Sequence, residues 1–264
     1  MSPPRILAIA GSDSGGGAGL QADIKTITML GGYAMTAVTA VTAQDTTAVH
    51  RIDALPIPAV LAQLDACLDD IGVDAIKTGM LGRPKLIRAI FDRIADLDVP
   101  VVVDPVLVAT SGDRLVGDDA VQAIIKFALP RATVVTPNLP ELALLAGEEI
   151  DDEAALVDVA HRFANTHGVA VLAKGGHLIG DELLDVLATP DGEAVWYASE
   201  RIDTRHTHGT GCTLASAVAT DLGRGLSLPD ATEHARDYVR QAILAAPGFG
   251  KGNGPLGHGW PLVR

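Results

Sequence analysis

Short runs of apolar, often β-branched residues alternate with longer amphipathic segments from residue 5 to residue 173, and this alternation constrains the fold more than any single motif. Residues 5–10, 35–43, 74–78, 101–103, 132–135 and 169–173 read as strands, and residues 20–30, 58–71, 84–97, 118–129 and 152–167 as helices between them. Strands joined through helices need crossover connections, and those are right-handed. The expected fold is therefore α/β, with three layers and a mostly parallel central sheet flanked by helices. Parallel strands gather their C-terminal ends on one edge, where open sheets bind ligands. Gly11, Gln44, Met80, Asp104, Asn138 and Lys174 all fall at such ends. After Lys174 the pattern changes: residues 183–188 and 194–197 flank Thr189-Pro190-Asp191-Gly192, which predicts an antiparallel hairpin.

Only 3% of the 264 residues are aromatic while 48% are hydrophobic, so the core must be built from Ala, Val, Leu and Ile. One domain spanning residues 1–264 is the expectation. A net charge of -13 argues against nucleic acid or an anionic membrane as partner, and an anionic substrate would need a locally positive pocket. Two cysteines, Cys67 and Cys212, are too few for a disulfide framework. The start does not read as a signal peptide and no apolar run is long enough to span a bilayer, which points to a cytoplasmic protein. Cys67 lies on the apolar side of the 58–71 helix with Val60, Leu64, Leu68 and Ile71, as a core residue would.

His208-Gly209-Thr210-Gly211-Cys212-Thr213 runs into the apolar stretch 214–219. It reads either as a helix N-terminus whose backbone amides form an anion site around Cys212, or as a plain loop-to-helix turn with a small buried cysteine. The loop 12–19 is neither a P-loop, since no Gly-Lys-Ser/Thr closes it, nor a dinucleotide fingerprint, since Leu20 stands at the last glycine. Its backbone can lie against a small ligand. Asp23, one turn into the next helix, either faces that ligand or is a solvated first-turn carboxylate. Gln44 offers a donor beside an acceptor, which matches the edge of an aminopyrimidine, or it is a surface glutamine. His206, His208 and Cys212 do not make a zinc set, because no fourth ligand has suitable spacing. Residues 229–246 form a final helix, and 248–260 are too rich in glycine for a regular element.

Thr110-Ser111-Gly112 follows the strand end at residue 103. Seven motifs occur in a fixed order: the loop from Gly11 to Gly19; Thr39-Ala40-Val41-Thr42-Ala43-Gln44; Lys77-Thr78-Gly79-Met80; Val103-Asp104-Pro105-Val106; Thr136-Pro137-Asn138 with Glu141; Lys174-Gly175-Gly176-His177; and His208 to Cys212. In that order they closely resemble the hydroxymethylpyrimidine/phosphomethylpyrimidine kinases of thiamine biosynthesis, in the ribokinase-like superfamily, over residues 6–258. The resemblance implies a ribokinase-like fold without a separate lid domain, ATP as phosphoryl donor, Mg²⁺, and a homodimer. The implied acceptors are 4-amino-5-hydroxymethyl-2-methylpyrimidine and its monophosphate. It also implies that Gly11, Ala18 and Asp23 bound the pyrimidine pocket, that Gln44 pairs with the ring, and that Met80 and Val106 pack against it. Asp104, Asn138 and Glu141 would organise Mg²⁺ and the ATP phosphates, and Lys174 would contact the triphosphate. Gly209, Thr210 and Gly211 match the anion hole, and Cys212 falls where most ribokinase-like sugar kinases carry an aspartate base. Two alternatives remain at this stage: a pyridoxal/pyridoxine kinase of the same branch and a non-catalytic pyrimidine-binding sensor. Asp203, Arg205, His206 and Gly257 depart from the family pattern, which bears on adenine-side details.

Overall fold

A computed structural model describes residues 2–107, 117–176 and 182–262; Thr110-Ser111-Gly112 and His177 lie outside them. In chain order the elements are β1 (Arg5–Asp13), α1 (Gly19–Met29), β2 (Tyr33–Gln44), β3 (Val49–Ala54), α2 (Ile57–Ala66), β4 (Ala75–Thr78), α3 (Pro84–Arg93) and β5 (Val101–Val103). They continue with α4 (Asp118–Ala123), β6 (Val134–Val135), α5 (Leu139–Ala146), α6 (Glu153–His167), β7 (Ala170–Lys174), β8 (Glu182–Ala188), β9 (Ala194–Glu200), α7 (Thr210–Gly223) and α8 (Leu228–Leu244). The chain divides into two compact units, one of Met1–Leu81, Leu97–Pro100 and Ile202–Arg264, the other of Gly82–Asp96 and Val101–Arg201.

In the first unit the strands lie in the order β3-β2-β1-β4. β1 is parallel to both β2 and β4, and β3 is antiparallel to β2. Ile6, Leu7, Ala8 and Ile9 of β1 have no exposed surface, as expected of a strand covered on both faces. Each such Ile or Leu contributes roughly 1.5–3 kcal/mol by leaving water. α1 and α7 pack against β1, and α8 packs on α7. A run of small residues, Ala215, Ala217 and Ala219, lets the buried part of α7, residues 213–222, approach closely.

β3 is absent from the sequence reading. All six of its residues are exposed, so it shows no apolar alternation, and it exists because its backbone completes the ladder on β2. The helix expected over 58–71 instead ends as α2 at Ala66 and continues through a π-helical turn, Cys67–Ile71. That leaves Cys67 half-buried rather than in the core, with burial pushing its thiol pKa up.

In the second unit β5, β6 and β7 are parallel, and β8 and β9 follow as the expected antiparallel hairpin. Local chemistry sets its helix ends. Asn138 and Glu141 form a reciprocal capping box at α5, and Asp152 caps α6 by accepting from Ala155 N. α6 stops at Gly168 in the left-handed region, where a side chain would be strained. Among the described residues no helix is long and apolar enough to cross a membrane.

Candidate active site

Parallel strand ends in the first unit bring the glycine loop, Gln44 and the start of α7 together. Asp13, which ends β1, is buried and acts as the hub. Its Oδ1 accepts from Gly15 N at 2.8 Å, and its Oδ2 accepts from Gly17 N at 3.0 Å, Ala18 N at 2.8 Å and His208 Nε2 at 3.0 Å. Burial raises the Asp13 pKa, but the His208 bond and the Ala18 and Gly15 amides outweigh it and hold the carboxyl below its ordinary value. Asp13 is an ionised acceptor.

Two glycines make this convergence possible. A Cβ on Gly17 would stand 2.4 Å from His208 Cδ2, and one on Gly209, whose φ is 89°, would stand 1.9 Å from the Gly17 carbonyl oxygen. Gly209 is thus required for backbone-on-backbone packing and Gly17 for seating the His208 ring against the loop.

α7 starts from Gly209 with no side chain capping it, and Thr210, Gly211 and Cys212 form its first turn. Uncapped amides at a helix N-terminus favour an anion. Cys212 is a half-buried thiol in that turn, in no disulfide. The next residue, Thr213, is buried and pairs with His258 Nε2 at 2.9 Å. Since His258 also bonds the Leu256 carbonyl, its other nitrogen carries the proton and Nε2 accepts from the Thr213 hydroxyl.

Burial pushes the His258 imidazole down from the ordinary 6.5 to about 4; the charge of Lys25 adds to this, and the Leu256 bond opposes it. Between those values the unfolded chain binds a proton that the folded chain refuses. Stability is thus present above pH 6.5 and lost as pH falls towards 4, by about 3 kcal/mol at about 1.36 kcal/mol per pH unit. Urea titrations between pH 7 and pH 4.5 should show that loss in the unmodified protein and a shallower one in His258→Gln. Equal slopes would show that another group titrates.

Gln44, at the end of β2, is half-buried; its Oε1 lies 3.1 Å from Thr42 Oγ1 and its Nε2 3.4 Å from His208 Nε2. Met80 follows β4, its carbonyl accepts from Thr39 Oγ1 at 2.8 Å, and its methyl lies over Gly11, where a Cβ would meet it at 2.6 Å. Ala18 is half-buried with its amide engaged by Asp13. Asp23 needs correction as a ligand-facing or solvated carboxylate. It has no exposed surface, and its Oδ1 accepts from Lys77 Nζ and from Ser216 Oγ, both at 2.8 Å. A buried carboxylate needs such partners, and Lys77 of β4 supplies the charge.

The strand ends of the second unit carry a separate cluster. Lys174, which ends β7, has Nζ 3.5 Å from Asp104 Oδ1 just beyond β5, and Thr136 Oγ1 lies 3.4 Å from the same oxygen. Asn138 Oδ1 accepts from Glu141 N at 2.9 Å, while Glu141 Oε2 accepts from Asn138 N at 2.9 Å and Oε1 from Leu107 N at 3.0 Å. Burial raises the Glu141 pKa; Lys174 opposes it and Asp104 adds to it. Half-buried Val106 sits at φ 44°, a strained setting for a β-branched residue, immediately before the amide that Glu141 holds.

Mg²⁺ takes oxygen ligands and usually keeps several of its waters. Asp104, Asn138 and Glu141 supply only oxygens, yet Glu141 and Asn138 already spend theirs on backbone amides. Among the described residues no three His, Cys, Asp or Glu side chains converge on one metal position. The donor set fits a hydrated ion reached through water.

The sequence alone marks no role for Asp13, Ser216 or His258, and gives Lys77 and His208 only as members of motifs, without their partners. An aspartate closing a strand before a glycine loop is a usable signal, because a carboxylate there can collect several amides. The partners of Lys77 and His258 lie 54 and 45 residues away, and no spacing rule reaches them.

An α/β protein with an uncapped, cysteine-bearing helix entrance and a lysine-aspartate cluster at its strand ends belongs among the ribokinase-like vitamin kinases. Similarity to solved structures agrees: pyridoxal kinase from Staphylococcus aureus in complex with ADP matches with a TM-score of 0.91 and 34% identity, covering 98% of this chain and 94% of that one. Phosphomethylpyrimidine kinase from Clostridium difficile 630 matches with a TM-score of 0.80 and 34% identity, covering 91% and 99%. The sequence model of phosphomethylpyrimidine kinase matches residues 13–257. Hydroxymethylpyrimidine/phosphomethylpyrimidine kinase of Streptomyces coelicolor is 48% identical over 99% of this chain and 97% of its own length, and its counterpart in Rhizobium meliloti is 47% identical over 96% of each. The chain belongs to the phosphomethylpyrimidine kinase family.

Proposed function

We propose that this kinase transfers the γ-phosphoryl group of ATP to 4-amino-5-hydroxymethyl-2-methylpyrimidine and then to the resulting monophosphate, giving the diphosphate used in thiamine biosynthesis. The observation that carries this reading is the uncapped N-terminus of α7 with Cys212 in its first turn. It provides a seat for anionic oxygen and a group able to take a proton in the same turn. Gln44 supplies the donor-acceptor edge for the aminopyrimidine, and Gly11, Ala18 and Met80 of the same unit supply small and apolar surface for its ring.

Phosphoryl transfer passes through a loose transition state, so the protein mainly positions groups and offsets charge. Lys174 is assigned to the triphosphate, its charge tempered by Asp104. Glu141, held by Asn138 in the capping box, orients the loop after β5 through the Leu107 amide, and Asp104 completes the oxygen set for hydrated Mg²⁺. When bound, Mg²⁺ neutralises charge on the phosphate oxygens. In the first transfer the Cys212 thiolate accepts the hydroxyl proton; in the second the attacking phosphate is already anionic. Relatives of the same family run through both units, which supports reading residues 1–264 as one kinase domain; a homodimer in the cytoplasm remains part of the proposal.

A second reading, pyridoxal phosphorylation, is favoured by the structural match to the Staphylococcus aureus enzyme. Incubation with Mg²⁺, ATP and each alcohol, with products identified by mass spectrometry, separates the two. The aminopyrimidine should yield mono- and diphosphate, pyridoxal should react more slowly, and Gln44→Leu should lower kcat/KM for the aminopyrimidine by about 10- to 100-fold. Preference for pyridoxal in the unmodified protein would reverse the assignment.

A further inference from the structure

A carboxylate held ionised has no proton to donate, so it is an acceptor towards every partner. Asp13 takes three backbone amides, and its fourth contact, His208 Nε2 at 3.0 Å, must therefore be an N–H donor as well. Nothing else about His208 needs to be known to place that proton. The same nitrogen lies 3.4 Å from Nε2 of the Gln44 amide, and two N–H donors facing each other cannot bond. A half-turn of the amide resolves this without moving another atom. Its oxygen then faces the His208 Nε2–H as the longer arm of a three-centre bond whose shorter arm goes to Asp13, and its nitrogen donates to Thr42 Oγ1 at the 3.1 Å position. Thr42 can receive that bond because its own hydroxyl proton goes to the Ser12 carbonyl at 3.0 Å. Every polar atom in the chain Asp13, His208, Gln44, Thr42, Ser12 is then matched in sign.

We propose that Asp13 and His208 form a specificity relay: by directing the His208 Nε2 proton at Asp13 they fix which way round the Gln44 amide faces, oxygen beside His208 and nitrogen beside Thr42. The amide's second lone pair and second hydrogen are left for the acceptor substrate in one fixed order. An amine next to a ring nitrogen fits that order, whereas a pyridine lacking the amine leaves the amide oxygen unmatched. Asp13 and His208 are positioning residues, since they act through Gln44. Gly17 is required for the same reason, because a Cβ 2.4 Å from His208 Cδ2 would push the ring off Asp13. The relay rests on the function proposed above and names what sets its substrate choice.

The test compares kcat/KM for 4-amino-5-hydroxymethyl-2-methylpyrimidine with that for pyridoxal in the unmodified protein, His208→Leu, His208→Gln, Gln44→Leu and the His208→Leu/Gln44→Leu pair, with thermal unfolding to verify folding. His208→Leu should reduce the preference by about tenfold or more. His208→Gln keeps an N–H for Asp13 and a second for the Gln44 oxygen, so it should retain most of the preference. In the Gln44→Leu background, removing His208 should change the preference no further. The relay is overturned if His208→Leu lowers both substrates equally, as a purely structural role would, or if its effect adds to that of Gln44→Leu. A preference absent from the unmodified protein is a different result: it overturns the proposed substrate and the relay together.

Discussion

Replacing Cys212 with alanine is expected to slow phosphorylation of the hydroxymethyl acceptor by about 10²- to 10⁴-fold, the range for removing a positioned general base, and to slow phosphorylation of the monophosphate acceptor by less than about tenfold. The difference follows from the two nucleophiles. An alcohol must lose a proton as it attacks, whereas a phosphate monoester has its second pKa near about 6 and is mostly ionised at neutral pH. In the proposed reaction both acceptors would meet the first turn of α7, which no side chain caps and which the substitution leaves in place. Cys212→Ser should behave like alanine on the alcohol, because a serine hydroxyl does not ionise at this pH. Single-turnover rates with each acceptor measure the effect directly. Equal losses on the two acceptors would remove Cys212 from proton transfer and leave it a packing role in the turn.

The second large effect lies beneath that helix. Lys77 and Asp23 are both without exposed side-chain surface and are paired at 2.8 Å, with Ser216 of α7 adding a second bond to the same carboxylate oxygen. The pair thus links β4, α1 and α7. Removing one partner leaves a buried charge without its counter-ion, which costs about 3–5 kcal/mol. Asp23→Ala and Lys77→Met should each lower the urea midpoint accordingly. Asp23→Leu combined with Lys77→Met should recover most of the loss, since two apolar side chains need no counter-ion. Single variants costing under about 1 kcal/mol would mean that water reaches the pair.

Much of the fold was legible because it depends on periodicity. β1 and β7 bury nearly continuous apolar runs, β2 alternates buried with more exposed positions, and the helices between them follow the 3.6-residue repeat. The hairpin β8–β9 announced itself through Thr189-Pro190-Asp191-Gly192. β3 did not, because an exposed edge strand is held by backbone bonds and leaves no pattern in its side chains. The π-helical turn after Ala66 was invisible for a related reason: its wider spacing arises from packing, not from a residue type that demands it.

For the site, the chain order of glycine loop, Gln44, Asp104, the Asn138–Glu141 pair, Lys174 and the Gly209–Cys212 turn was sufficient to point to the family. Capping boxes, strand ends and helix entrances are local, so a few neighbouring residues specify them. Partner choice is not local. That Asp23 belongs to Lys77 rather than to a ligand, that Thr213 borrows the nitrogen of a histidine in the glycine-rich tail, and that Asp13 decides the proton on His208 all depend on contacts across 45 to 195 residues of chain. By itself the sequence determined which chemical groups stand at the strand ends and in what order. Only the tertiary structure decided which of those groups are already committed to one another, because a buried polar atom takes whichever partner the packing brings within bonding distance.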